Sequence, residues 1–247
     1  MNKIEYIYDG IPFTLYNCGD DQPKPLLFYF HGFNSDHLLG GIGKVEELAR
    51  KGFLVIAMDA YLHGGRMPSW FGELSYGDKQ KEIVNIQIQT AKDAMHLYDK
   101  YFKKDNRISK NGVYAFGVSM GAGICFYLGT IMKEVVAIAS IVGSPSFYEF
   151  YQEKQVTYGW SKDEYYMANL EYYKSIDPLL NYTKLGDVYI YMGNGAKDTT
   201  VPKKFAEELS KKHKQENFIY EVYDCAHTST PEMLENAYNY LVSKVQK

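Results

Sequence analysis

Cysteine is scarce in this chain of 247 residues: Cys18, Cys125 and Cys225 are the three it has. An odd count without CxxC spacing argues against a disulfide framework and against a zinc site. A surplus of either charge is also lacking. With 27 basic and 30 acidic residues the net charge is −3, and no basic face of the kind nucleic acid needs is evident. The lysine-rich piece KKHK at 211–214 falls in an expected helix and reads as a solvated face. Long apolar runs are missing too. No stretch nears the ~18 uninterrupted apolar residues of a membrane-spanning helix, and MNKIEYIYDG at the start lacks the apolar core of a signal peptide. The expectation is a cytoplasmic protein with neither a membrane nor a nucleic acid as partner; the oligomeric state stays open.

What is present is a rhythm of short apolar runs alternating with helical patterns. IEYIYDGIPFTLYN (4–17) alternates around Asp9-Gly10, a dipeptide suited to a tight hairpin turn. Runs at 25–33, 53–60, 112–119, 135–143, 187–194 and 218–224 read as strands, most of them apolar enough to be buried on both faces. Helices are expected at 37–51, 76–102, 120–132, 202–213 and 230–245, the last opened by Thr230 as N-cap with Pro231 behind it. Alternation of this kind predicts an α/β fold: a mostly parallel sheet with helices on both faces. The whole chain, 1–247, reads as a single domain. One interval breaks the rhythm. Between about 146 and 184 lie Tyr148, Tyr151, Tyr158, Tyr165, Tyr166, Tyr172, Tyr173 and Tyr182, with Phe147, Phe150 and Trp160. This aromatic insert reads as a cap, with Phe147, Tyr148 and Trp160 as candidate pocket-lining residues; a packed insert without substrate contact is the alternative.

Three polar residues each follow a separate expected strand, at the edge where open parallel sheets bind ligands. Ser119 sits in GVSMG (117–121), which fits G-x-S-x-G. A tight strand-to-helix turn strains the serine and needs small neighbours two positions away on each side. A serine hydroxyl needs a base to become a nucleophile, and His227 in YDCAHTST (223–230) lies at the same edge. The base needs a carboxylate to fix its tautomer. Asp198 in GNGAKDTTVP (193–202) is the candidate, with Asp224 as its rival. Backbone N–H groups of Met120, at the head of the following helix, and of Phe33, after the first long strand, are the candidate oxyanion donors. Gly32 is expected to let that backbone turn sharply. His31 reads as a residue that buttresses this loop. His96 and His213 fall within expected helices and read as surface residues. No metal or organic cofactor is called for.

Together FYFHGF, GVSMG, GAKDTTVP and CAHTST resemble the α/β-hydrolase superfamily, closest to small bacterial esterases related to dienelactone hydrolases and to the catalytic domains of prolyl oligopeptidases. MDAYLHGGR (58–66) adds to the likeness, and makes His63 and Arg66 candidates for the pocket mouth; for Arg66 the alternative is a carboxylate pair that anchors the loop. The resemblance covers about 20 to 245. It implies a carboxylic-ester hydrolase, with Ser119 as nucleophile, His227 as base and Asp198 as orienter, acting on a small-molecule ester. Dienelactone hydrolases proper carry a cysteine nucleophile, and oligopeptidases carry a large N-terminal propeller. Neither feature is present, so lactone specificity and long-peptide cleavage do not transfer. A small-peptide or thioester hydrolase, an acyltransferase, or a non-catalytic protein that senses a ligand remain alternatives.

Overall fold

A computed structural model describes residues 1–20, 22–213 and 215–245. Eight strands form one sheet: β1 (Asn2–Tyr8), β2 (Ile11–Asn17), β3 (Lys24–Phe30), β4 (Leu54–Met58), β5 (Ile108–Val118), β6 (Val135–Ile141), β7 (Tyr189–Gly195) and β8 (Phe218–Tyr223). Their order is β1-β2-β4-β3-β5-β6-β7-β8. The β1–β2 and β2–β4 pairs are antiparallel, and every other pair is parallel. Asp9 and Gly10 close the first hairpin with φ of 50° and 76°, the pair of positive angles a type I′ turn demands.

The parallel strands β3, β4, β6 and β7 are buried on both faces because helices cover both, while the edge strand β8 is partly exposed. Leu26, Phe28 and Phe30 of β3 pack into one apolar layer, and Leu27 and Tyr29 into the other; side chains alternate along a strand, so consecutive residues serve opposite layers. The first layer is covered by α4 (Ile83–Leu97), α5 (Met120–Ile131) and α8 (Lys204–Lys212), through Val84, Ala91, Ile124 and Phe205. The second is covered by α1 (Lys44–Arg50) and α9 (Pro231–Ser243), through Val45, Leu48, Met233 and Leu241. Thr230 caps α9, its side chain accepting from the Met233 amide.

Several boundaries differ from the sequence reading. The helix expected at 37–51 forms only over α1, after a run of turns. The one expected at 76–102 opens with a short helix, α3 (Tyr76–Lys79), and a 3-10 turn (Gln80–Glu82), continues as α4, and ends in a π-helical turn (Tyr98–Phe102). A further single turn, α2 (Ser69–Gly72), precedes it. Lys211 and Lys212 are exposed, but His213 is buried, its Nε2 donating to the Val188 carbonyl at 3.1 Å. Lys214, the end of the KKHK stretch, lies outside the described residues. His96 is a surface residue, paired with Asp9 at 2.7 Å.

The insert between β6 and β7 folds as α6 (Tyr148–Tyr158) and α7 (Glu164–Ile176). Its aromatics pack mainly on one another: the Tyr151 ring lies 5.4, 5.1 and 4.9 Å from those of Trp160, Tyr166 and Tyr173. Asp177 ties the base of the insert together. Its fully buried carboxylate accepts from the amides of Phe147 and Tyr148 at one end and of Leu179 and Leu180 at the other. Burial raises its pKa, and these four amides oppose the rise.

Candidate active site

Ser119 stands between β5 and α5 with φ 56° and ψ −114°. An L-residue there is strained by about 1–3 kcal/mol, and the surroundings hold it. The Ser119 amide donates to the Ile141 carbonyl at 2.8 Å. A Cβ added at Gly117 would sit 2.2 Å from the Gly121 carbonyl oxygen, and one at Gly121 would sit 2.1 Å from that of Phe30. Strand and helix therefore approach as closely as bare backbone allows. Gly123 serves packing: a Cβ there would meet the Gln87 amide at 2.2 Å.

From Ser119 a hydrogen-bonded chain runs inward. Its Oγ lies 2.8 Å from His227 Nε2, and His227 Nδ1 lies 2.7 Å from Asp198 Oδ2. Asp198 follows β7 and His227 follows β8, so three strand ends converge. The Asp198 carboxylate is fully buried. Its other oxygen accepts from the amides of Thr200 and Val201, both at 2.9 Å. One oxygen anchors the group while the other holds the imidazole. Asp224 takes no part. Its side chain is 81% exposed and pairs with Lys197 at 2.6 Å.

A cavity of about 420 Å³ opens beside this chain, lined by Ser119 and His227 and by both candidate oxyanion donors, Phe33 and Met120. Met120 is the first residue of α5, where an amide has no carbonyl partner within the helix. Gly32 does not make the sharp turn expected of it; the residue with positive φ in that loop is Asn34, at 58°. Val142, with φ 45°, is a second strained residue on the cavity wall.

His31 buttresses the loop as expected. It is fully buried, its Nε2 accepts from the Ala60 amide at 3.1 Å, and its Nδ1 donates to the Gly32 carbonyl at 2.8 Å. Burial lowers its pKa to about 4, against the opposing Gly32 bond. Asp59, also fully buried, accepts from the His37 amide and ring and from the Gly65 amide. Burial raises its pKa, but these bonds outweigh burial and the net direction is down.

None of the five candidate lining residues reaches the cavity. Arg66 pairs with Asp93 at 2.6 Å and with the Asp59 carbonyl, anchoring its loop. His63 is buried among the rings of His31, Phe33 and Phe71. Phe147 faces the core against Tyr127, Trp160 donates to the Gly77 carbonyl, and Tyr148 borders a separate outer concavity. The lining that the sequence reading missed is Tyr76, Gln80, Ile83 and Gln87 on one side and Phe150 and Val201 on another. The spacing of 80, 83 and 87 puts them on one helical stripe, and two glutamines on such a stripe were the available signal. No cluster that could hold a metal ion occurs among the described residues, and no helix there is long and apolar enough to cross a membrane.

Sheet order, strained serine turn and edge location are those of the α/β-hydrolase fold, and solved structures share it. Residues 98–185 match the family described as BAAT / acyl-CoA thioester hydrolase C terminal; the match includes Ser119 and stops before Asp198 and His227. The chain is 25% identical over 206 residues to the putative esterase YitV of Bacillus subtilis, covering 78% of this chain and 76% of that protein. Among solved structures, TT1662 from Thermus thermophilus superimposes with a TM-score of 0.75 at 18% identity, over 100% of this chain and 98% of that one. Acetyl xylan esterase 1 from a Thermoanaerobacterium species gives 0.72 at 17%, over 99% and 83%. Est1E from Butyrivibrio proteoclasticus, solved with ferulic acid bound, gives 0.69 at 14%, over 99% and 100%. The chain has the α/β-hydrolase fold, and the curated relative it matches is described as a putative esterase.

Proposed function

We propose that this protein is a serine hydrolase of small carboxylic esters. The observation that carries the reading is the pair of hydrogen bonds from Ser119 through His227 to the buried Asp198, beside a cavity of about 420 Å³. His227 Nε2 takes the Ser119 proton as Oγ attacks the ester carbonyl. The backbone amides of Phe33 and Met120 receive the developing oxyanion. Asp198 keeps the acceptor nitrogen of the ring toward the serine and stabilises the imidazolium. The tetrahedral species then collapses, and the alcohol leaves with the proton from His227. A water molecule, deprotonated by the same nitrogen, attacks the acyl-enzyme and regenerates Ser119. The insert supplies Phe150 to the cavity wall and acts as a partial cap over the acyl-binding region.

The test is turnover of short p-nitrophenyl esters. Wild-type protein is expected to hydrolyse them, and Ser119→Ala is expected to lose turnover; wild-type rates in the variant would refute the assignment. The family match favours a second reading, a thioester hydrolase. Both share the acyl-enzyme, so a panel of esters, thioesters and aminoacyl amides compared by kcat/KM separates them. The ester reading predicts the highest values for oxygen esters.

A further inference from the structure

The cavity beside Ser119 has a wall that no step of the acyl transfer uses. Gln80, Ile83 and Gln87, three and four residues apart, line it along the stretch that runs from the 3-10 turn into α4. Gln80 is 2% exposed, and its side-chain amide has no hydrogen-bond partner among the described residues. Gln87 is 5% exposed. Its Nε2 donates to the Met120 carbonyl at 3.1 Å, and its Oε1 is buried with no partner. Buried amides are ordinarily hydrogen-bonded. The Gln80 amide, without a protein partner on the cavity wall, marks the place where a ligand group completes the bonding.

The chemistry of that group follows from the lining. None of the cavity-lining residues is Asp, Glu, Lys or Arg, so a carboxylate or phosphate would enter without a counter-charge, which is costly in a buried site. A primary amide offers donors and an acceptor on neighbouring atoms, and a hydroxyl is the small neutral group that both donates and accepts. Phe33, Ile83, Phe150 and Val201 line much of the remainder, which suits a short carbon chain. Resting on the ester-hydrolase reading, we infer that the cavity selects neutral esters carrying a hydroxyl a few bonds from the scissile carbonyl, held by the Gln80 amide.

Two matched pairs of substrates test this. p-Nitrophenyl butyrate against p-nitrophenyl β-hydroxybutyrate places the hydroxyl in the acyl part; propyl butyrate against ethylene glycol monobutyrate places it in the alcohol. The expected result is a kcat/KM about ten-fold higher for the hydroxylated member of at least one pair. That ratio should fall to near one in Gln80→Leu, with Gln80→Met as a second variant should the first fail to fold. Fluorophosphonate labelling of Ser119, which needs no hydroxyl, reports whether each variant is folded with its nucleophile intact. Ratios near one for both pairs in the wild type, or a preference that both variants retain, overturn the inference. If neither p-nitrophenyl acetate turnover nor labelling is seen, the ester-hydrolase reading fails and the inference falls with it.

Discussion

Asp198 and Asp224 both lie near His227, one brought there by the fold and one by the chain, and only Asp198 faces the ring. The Thr200 and Val201 amides fix its carboxylate, while Asp224 turns to solvent and Lys197. Replacing Asp198 with Asn swaps an acceptor for a group that can present an N–H to Nδ1, and the ring then adopts the wrong tautomer. Asp198→Asn is expected to lower kcat by about 10⁴, the scale of this defect in serine proteases. Asp224→Asn loses only an exposed ion pair and is expected to stay within about two-fold of wild type. Steady-state kinetics of the two variants, side by side, decide between the acids, and a large loss in Asp224→Asn alone would reverse the assignment. At this scale the sequence was legible where a residue's place followed from a strand end, as for Ser119, Asp198 and His227. It was not legible where a helix had to choose a phase. Phe147 and Phe150 are one helical turn apart and equally aromatic, yet only Phe150 meets the cavity, because the packing of Tyr151 against Trp160, Tyr166 and Tyr173 sets the rotation of α6.

The turn from β5 into α5 works as a unit because three backbones crowd around it. Gly121 lies against the Phe30 and His31 carbonyls, and Gly117 lies against Gly121. A methyl group at 121 would have to displace main chain, which cannot swing aside as a side chain can. Gly121→Ala is therefore expected to destabilise the protein by about 3 kcal/mol, the upper part of the usual overpacking range, read as a fall in urea midpoint without a change in slope. Gly10→Ala is a different case, with open space around the added Cβ but φ at 76°; its cost is backbone strain alone and is expected to be smaller, about 1 kcal/mol. The G-x-S-x-G spacing made the first crowding readable from sequence, since small residues two away from a turn residue have few other uses. The insert was less readable. Its tyrosines announced a separate unit, but long-range ties hold it in place, among them Trp160 Nε1 donating to the Gly77 carbonyl at 3.0 Å and Lys154 Nζ donating to the Thr200 carbonyl at 2.9 Å. Long-range ties of this kind leave no periodic trace in the chain.

At the scale of the whole molecule, the sheet edge that gathers the candidate site also buries a cluster of histidines beneath it, and this couples the loop bearing Phe33 to acidity. The Ala60 amide can only donate, so His31 Nε2 must stay unprotonated to receive it. Burial disfavours the charged ring, so the pKa of His31 falls from 6.5 to about 4, and a second proton would also set two N–H groups against each other. The direction of the stability effect follows. Above pH 6.5 the ring is neutral whether folded or unfolded, and burial carries no protonation cost. As pH falls from 6.5 toward 4, the unfolded chain takes up a proton that the folded one refuses, so each step of one pH unit through that window removes about 1.4 kcal/mol of stability. Across the whole window the loss is on the order of 3 kcal/mol. His63, also buried with its pKa lowered by desolvation, adds a loss of the same sign. Urea midpoints measured between pH 7 and pH 4 are expected to fall steadily in the wild type. His31→Gln, which keeps a neutral polar group but cannot titrate, is expected to start lower at pH 7 and to decline less steeply. A decline of unchanged slope in that variant would show that the acid sensitivity lies elsewhere.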